Sequence, residues 1–507
     1  MKELLERYQD EIAGAVSCFD RVILQGRMPI FSYADGMTRF LSVRGIKIFD
    51  FIKWAAPITD SIKDHAELVA EEFGLKIDFV RKKNFRKEKR IEEVLSERGT
   101  HPGLVWIFSA LEPCTTYAPK YNPKGNRAYL TAKDKKCLHY YFYFIDSELG
   151  LCYLRVPTWC PFRLQFYCNP HNWLARQLDQ AGIANQQMDN AFIEIGDWKK
   201  AQEISDSFDA SWLHRKLDQW VEKYCPMLRR LEEEYNWTID TAEYASDVVF
   251  HQQKDLQGIY GEWVRTLIHT VKPADIATFL GKKLNGNYQG EMGNRYNTRI
   301  EGTRIRHSMG MVSIKMYDKF GHILRIETTI KDVTFFRHYR GVEQRDGSVV
   351  HKYAPMKKTI YSLGALREIA WDCNRRYAEF LGALEDPRGG LEKLARVSRK
   401  TTEGGRSYRG INFFDAEDVE VLEAIGQGEF CLRGMQNKAL RERLPGRSSQ
   451  QVSRIIKGLR LHGLIKKTPH GYRYYLTPLG RQVVATGLRL KEFEIRQELS
   501  KGQKTAA

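Results

Sequence analysis

Four residues in one short segment have the types and spacing to handle a phosphate: Tyr317, Lys319, Arg325 and Glu327. Residues 311–317 and 322–329 read as two strands joined across Asp318-Lys319-Phe320-Gly321. Residues two apart share one face of a strand, so Lys319 would stand beside Tyr317, and Arg325 beside Glu327. A phenol titrates near about 10 and attacks poorly at neutral pH unless a neighbouring cation lowers that value. A guanidinium on the facing strand could neutralise charge developing on phosphate. The same spacing also fits a structural pair of strands in which Tyr317 packs and Lys319 pairs with Glu327. A second constellation, Glu243, Asp247 and His251 at i, i+4 and i+8, would put two carboxylates and an imidazole on one helical face. That set could hold a divalent cation, or be an ordinary surface triplet.

The segment Ser313-Ile314-Lys315-Met316-Tyr317 through Leu324-Arg325-Ile326-Glu327 resembles a strand pair of rolling-circle replication initiators of the filamentous-phage type. Upstream, Leu164-Gln165-Phe166-Tyr167-Cys168-Asn169-Pro170-His171-Asn172 is similar to a Gln-Gly-His-Asn stretch of the same family. The resemblance covers some forty residues in two patches. It implies a tyrosine nickase in which Tyr317 attacks a DNA phosphodiester and frees a 3′ hydroxyl, assisted by Lys319 and Arg325. It further implies that His171 and Glu327 are metal ligands for Mg²⁺ or Mn²⁺. The His-hydrophobic-His pair of most such nickases does not occur in the chain.

Charge points to the same kind of partner. Lys and Arg number 80 against 63 Asp and Glu, a formal net charge of +17. Residues 431–490 alone hold thirteen bases against one acid, Glu442. Here Ser448 and Gln451 are spaced as a capping box, and Val452, Ile455, Ile456 and Leu459 form an apolar stripe. The opposite face presents Ser449, Gln450, Arg454, Lys457 and Arg460. A short helix near 437–444 precedes this one, strands 464–468 and 472–476 follow, and Pro478 opens a last helix. From Asn437 to Gln482 the order and spacing of elements resemble the winged helix-turn-helix of MarR-type regulators. The resemblance implies a helix in a major groove, with Arg447, Lys466, Lys467 and Arg473 near phosphates and His470 at a wing tip. Lys82, Lys83 and Arg86 lie in a second basic run, 81–90, which reads equally as a solvated face. Lys282, Lys283, Arg304 and Arg306, interleaved with Tyr288 and Tyr296, suit single strands or RNA loops. A further basic stretch, 117–136, reads as a loop.

The elements that must position these residues read as an α+β multidomain chain. We expect an α+β body at 1–190, a helical region at 195–280, a basic β-containing segment with a helical end at 281–405, and a winged helix-turn-helix at 411–495. Gly389-Gly390 and 401–405 read as a linker before the last of these. Nine cysteines without a CxxC spacing argue against a disulfide framework or zinc ribbon. The start of the chain has no apolar signal core, and no run of eighteen apolar residues occurs, so a soluble cytoplasmic protein with no membrane partner is expected. No phosphate-loop, dinucleotide, HExxH or GxSxG signature is present, so no nucleotide cofactor is expected. Three readings remain: a DNA nickase or replication or transposition initiator of a bacterial mobile element, a non-catalytic binder of structured RNA or an RNA–DNA complex, and a transcriptional regulator. The partner is nucleic acid, DNA or RNA, and the sequence leaves the oligomeric state open. The whole chain also resembles bacterial proteins whose defining feature is a winged helix.

Overall fold

The run His139-Tyr140-Tyr141-Phe142-Tyr143-Phe144-Ile145 is aromatic at odd and even positions, so a strand built from it must be covered on both faces. It is. Phe142 stacks on Tyr224 at 4.9 Å and Phe144 lies 5.2 Å from Trp220, both on the helix Ala210–Tyr224. On the other face Tyr141 and Tyr143 join Val105 and Phe108 beneath Ile91 and Val94 of the helix Lys87–Arg98. The computed structural model that shows this describes residues 1–82, 84–284, 288–299, 302–384, 396–469 and 471–492. Lys83, His470 and the Gly389-Gly390 part of the expected linker lie outside them.

The strands are β1 (Ile12–Arg27), β2 (Ile77–Phe79), β3 (Gly103–Asn122), β4 (Arg127–Asp146), β5 (Gly150–Pro157), β6 (Leu164–Cys168), β7 (Asn185–Met188), β8 (Ala191–Ile195), β9 (Asn236–Phe250), β10 (Met292–Arg299), β11 (Gly302–Met309), β12 (Val312–Lys319) and β13 (Ile323–Ile330). All but the β7–β8 hairpin belong to one sheet of order β10-β11-β12-β13-β9-β1-β6-β5-β4-β3-β2. The protein is therefore a mixed α+β chain with a large sheet. Contacts cluster into two compact units, one of residues 1–15, 246–328 and 370–507, the other of residues 16–245 and 329–369. Among the described residues no helix is long and apolar enough to cross a membrane.

Three expectations are corrected. The helical region expected at 195–280 is interrupted by strand β9, after which only 253–270 and 273–279 are helical. The strand's early residues alternate, Trp237 and Ile239 buried between exposed or half-buried Asn236, Thr238 and Asp240, which is a period of two. The basic loop expected at 117–136 is mostly the paired ends of β3 and β4, in register from Glu112↔Cys137 to Asn122↔Arg127. Alternation explains this too, since buried Tyr117 and Leu130 punctuate the lysines. The linker expected at 401–405 forms a small hairpin, Thr401–Glu403 against Arg406–Tyr408.

The last hundred residues have their own core, in which Leu422, Leu440, Val452, Ile456, Leu464 and Val484 are buried together. The helices Ala416–Ile425, Gly428–Arg433, Asn437–Arg443 and Ser449–Leu461 come first. A hairpin pairing Ile465 with Leu476 and the helix Pro478–Glu492 follow. The capping box forms as expected: Ser448 Oγ accepts from the Gln451 N–H, and Gln451 Oε1 accepts from the Ser448 N–H at 2.7 Å.

Candidate active site

Strands β12 and β13 are joined by a tight turn in which Phe320 (φ 60°) and Gly321 (φ 77°) are both left-handed. Such a turn matches the twist of the strands it connects; glycine adopts it without strain, phenylalanine with some. On β12, Lys315 and Tyr317 alternate with buried Ile314 and Met316, while every residue of β13 is buried. Glu327, 2% exposed, accepts the Tyr317 hydroxyl at 2.8 Å on Oε2 and the Lys315 ammonium at 2.6 Å on Oε1. Burial pushes this carboxyl up, but Lys315, the Tyr317 hydroxyl and Arg325 together hold it below the usual range. Glu327 is therefore ionised at neutral pH and already bonded to the phenol it would deprotonate.

Arg325 does not face outward. It is 0% exposed and forms a fork with Asp247, Nε to Oδ1 and Nη2 to Oδ2, each at 2.6 Å. The expectation of a phosphate-facing guanidinium gives way to a buried ion pair. Lys319 is buried as well, its ammonium 5.0 Å from the Phe320 ring, and Lys315 pairs with Glu327 at 2.6 Å. Asp247 and Glu243 do share a face, but of strand β9, and His251 lies beyond its end.

The strands beside this hairpin carry a basic face. Arg295 on β10 stands opposite Arg306 on β11, and Arg306 opposite Lys315 on β12. Arg304 and Asn297, also opposite one another, fall on that face because they lie two residues from Arg306 and Arg295. The reverse face is buried, with Ile305, Ile314, Met316 and the polar His307 all fully covered. Tyr296 lies on that reverse side, its hydroxyl donating to the Ile268 carbonyl at 3.3 Å, so it is not interleaved with the arginines. Like charges set directly opposite one another in a sheet are unfavourable unless an anion joins them.

His171 follows Asn169, whose side chain caps the helix Pro170–Gln180 by accepting the His171 N–H at 3.0 Å. Its imidazole is buried, Nδ1 3.4 Å from Asp20 of β1, and Asn190 also donates to Asp20. Glu243 meets Arg21 at 3.7 Å and accepts from the Thr329 hydroxyl at 3.3 Å. Of the two expected metal ligands, Glu327 bonds to Lys315 and Tyr317, and His171 stands beside Asp20. Asp20 was not singled out by sequence; an acid within a largely apolar strand, as in Cys18-Phe19-Asp20-Arg21-Val22, is the local signal that could have found it.

Among the C-terminal residues, Ser449, Gln450, Arg454, Arg460, Lys466, Lys467 and Arg473 are exposed. Lys457 and Arg460 both pair with Glu403, at 2.9 and 3.4 Å, and Arg447 pairs with Glu420 at 3.3 Å. Lys82 and Arg86 are exposed, as is Lys283, while Lys282 is half-buried. No protein-family model, curated protein or solved structure matches the chain.

Proposed function

We propose that the protein binds nucleic acid and performs phosphodiester chemistry at Tyr317, as a DNA nickase initiating replication or transposition of a bacterial mobile element would do in the cytoplasm. The observation that carries this reading is the basic face Arg295–Arg306–Lys315, which leads to a phenol hydrogen-bonded to an ionised carboxylate. A polyanion laid along that row would relieve its like-charge contacts and bring a phosphodiester to Tyr317. Glu327 takes the phenolic proton. The phenolate oxygen forms a bond to phosphorus, the bond to the 3′ oxygen breaks, and that oxygen leaves as a 3′ hydroxyl once protonated. A carboxylate oxygen is a hard donor that suits Mg²⁺ or Mn²⁺, and Glu327 would be a ligand of such an ion. When bound, it supplies electrophilic activation of the phosphate.

The C-terminal elements we read as a winged helix-turn-helix that selects the site, with the helix Ser449–Leu461 presenting Arg454, Lys457 and Arg460 to duplex DNA. Glu403 occupies two of these cations in the free protein, so DNA must displace it. A second reading, non-catalytic binding of RNA or an RNA–DNA complex, is favoured by the tight Lys315–Glu327 pair, which a purely structural hairpin also makes.

The Tyr317→Phe variant decides between them. Wild type incubated with labelled single-stranded or supercoiled DNA and Mg²⁺ or Mn²⁺ is expected to retain label after boiling in detergent. The variant is expected to bind the same DNA and retain none. Absence of an adduct on wild type across substrates and metals, with RNA bound equally by both proteins, establishes the binder instead.

A further inference from the structure

Strands β3 to β6 and the segment between β5 and β6 enclose a cavity of about 210 Å³ lined by Arg155, Arg163, His139, Thr115, Cys114 and Trp159, among others. That volume is below the roughly 300–1,000 Å³ of sites for drug-sized ligands, so it suits one small group. Two guanidinium groups, those of Arg155 and Arg163, line it. His139 is lowered to about 4 by burial and then by Arg155, so it is neutral at physiological pH.

The guanidinium groups have donors to spare. Arg155 Nη1 lies 3.6 Å from Glu112 and Arg163 Nη2 donates to the Ser32 carbonyl at 3.3 Å. The Nε of each is buried and bonds to no protein atom among the described residues. An unpaired buried guanidinium N–H costs free energy that an acceptor in the cavity would recover. Glu112 opposes an incoming anion, but its charge is shared with Lys87 at 3.4 Å and with the Tyr141 hydroxyl. Asp240 is engaged by Gln25 and Asp134 by Thr115.

We infer that this cavity binds a phosphoryl group, presented either by free phosphate or by the terminal phosphomonoester of a nucleic acid. Two arginines lining one small cavity match the charge and acceptor needs of a tetrahedral oxyanion. The inference is independent of any chemistry at Tyr317.

Cys114 provides the readout. It lines the cavity and is half-buried, whereas Cys18, Cys137, Cys152, Cys160, Cys168, Cys225 and Cys373 are buried. Iodoacetamide alkylation of Cys114 in the full-length protein, followed by peptide mass spectrometry, would be timed against inorganic phosphate, with chloride at equal ionic strength as control. Phosphate is expected to slow alkylation by at least about tenfold at saturation, and Arg155→Gln and Arg163→Gln each to abolish that protection. ³¹P line broadening on the wild type gives a second measure that no folding defect in a variant can affect. A 5′-phosphorylated oligonucleotide, compared with its 5′-hydroxyl twin, identifies the source. Protection by the phosphorylated strand alone, below the concentration at which phosphate acts, assigns a nucleic-acid end; protection by phosphate with no difference between the strands assigns the free ion. Unchanged alkylation with phosphate and with both strands, and a sharp ³¹P line, overturn the inference. So does equal protection of wild type and both variants.

Discussion

Glu327→Gln tests the ion pair at the base of the β12–β13 hairpin. The substitution keeps shape and hydrogen-bonding capacity but removes one buried negative charge. That charge attracts Lys315 at 2.6 Å, about 6 kcal/mol at an effective dielectric constant of about 20. Much of this attraction offsets the desolvation of the two ions, and removing one partner of a buried pair costs about 3–5 kcal/mol. Lys315 is 14% exposed and keeps some access to water, so the loss should fall at the lower end, about 3 kcal/mol. Lys315→Met with Glu327→Gln should recover most of it, because the unpaired ammonium is then gone. Urea unfolding followed by tryptophan fluorescence measures all three proteins. A Glu327→Gln variant as stable as wild type would refute the reasoning. Losses that simply add in the double variant would refute it equally.

Three other outcomes follow from single contacts. Arg325→Met alone leaves the buried Asp247 carboxyl without its guanidinium partner and is expected to cost about 3–5 kcal/mol in urea unfolding; Arg325→Met with Asp247→Leu should recover most of it, and additive losses would contradict the pairing. Burial pushes Asp275 up to about 6 from 3.8, although it accepts the Gly428 and Lys272 N–H groups. Because the folded value is the higher one, its contribution is fully present below about pH 4 and lost as pH rises through 6, amounting to about 3 kcal/mol; Asp275→Asn should flatten stability over that window, and an unchanged slope would count against it. Replacing Arg454 and Lys457 with Ala should weaken duplex binding and reduce the salt-dependence slope by about 0.9 per lost phosphate contact; identical slopes for wild type and variant would remove this helix from the interface.

Local rules were enough for much of the chain. The C-terminal elements declare themselves through signals only a few residues long: the Ser448–Gln451 capping box, the 452–459 stripe and Pro478 at a helix start. The β12–β13 hairpin is equally local, because alternation on both sides of Phe320-Gly321 specifies strands, turn and register together. Within it Tyr317 and Glu327 were legible as members of one constellation, with Lys319 as the neighbouring cation. Lys315 was not, since choosing between Lys315 and Lys319 requires knowing which strand position faces Glu327.

Strand β9 shows where local reading runs out. Glu243, Asp247 and His251 are four apart, a spacing that one face of a helix and one face of a strand both satisfy. The tertiary structure decides for the strand, because Asp247 is needed against Arg325. The Asp247–Arg325 pair is itself non-local, since its members lie some eighty residues apart in sequence. Sequence determines which residue types each strand carries and which face each occupies. Only the order β13-β9 in the sheet brings Asp247 to Arg325, because their proximity depends on strand pairing between distant segments, to which no short-range propensity contributes.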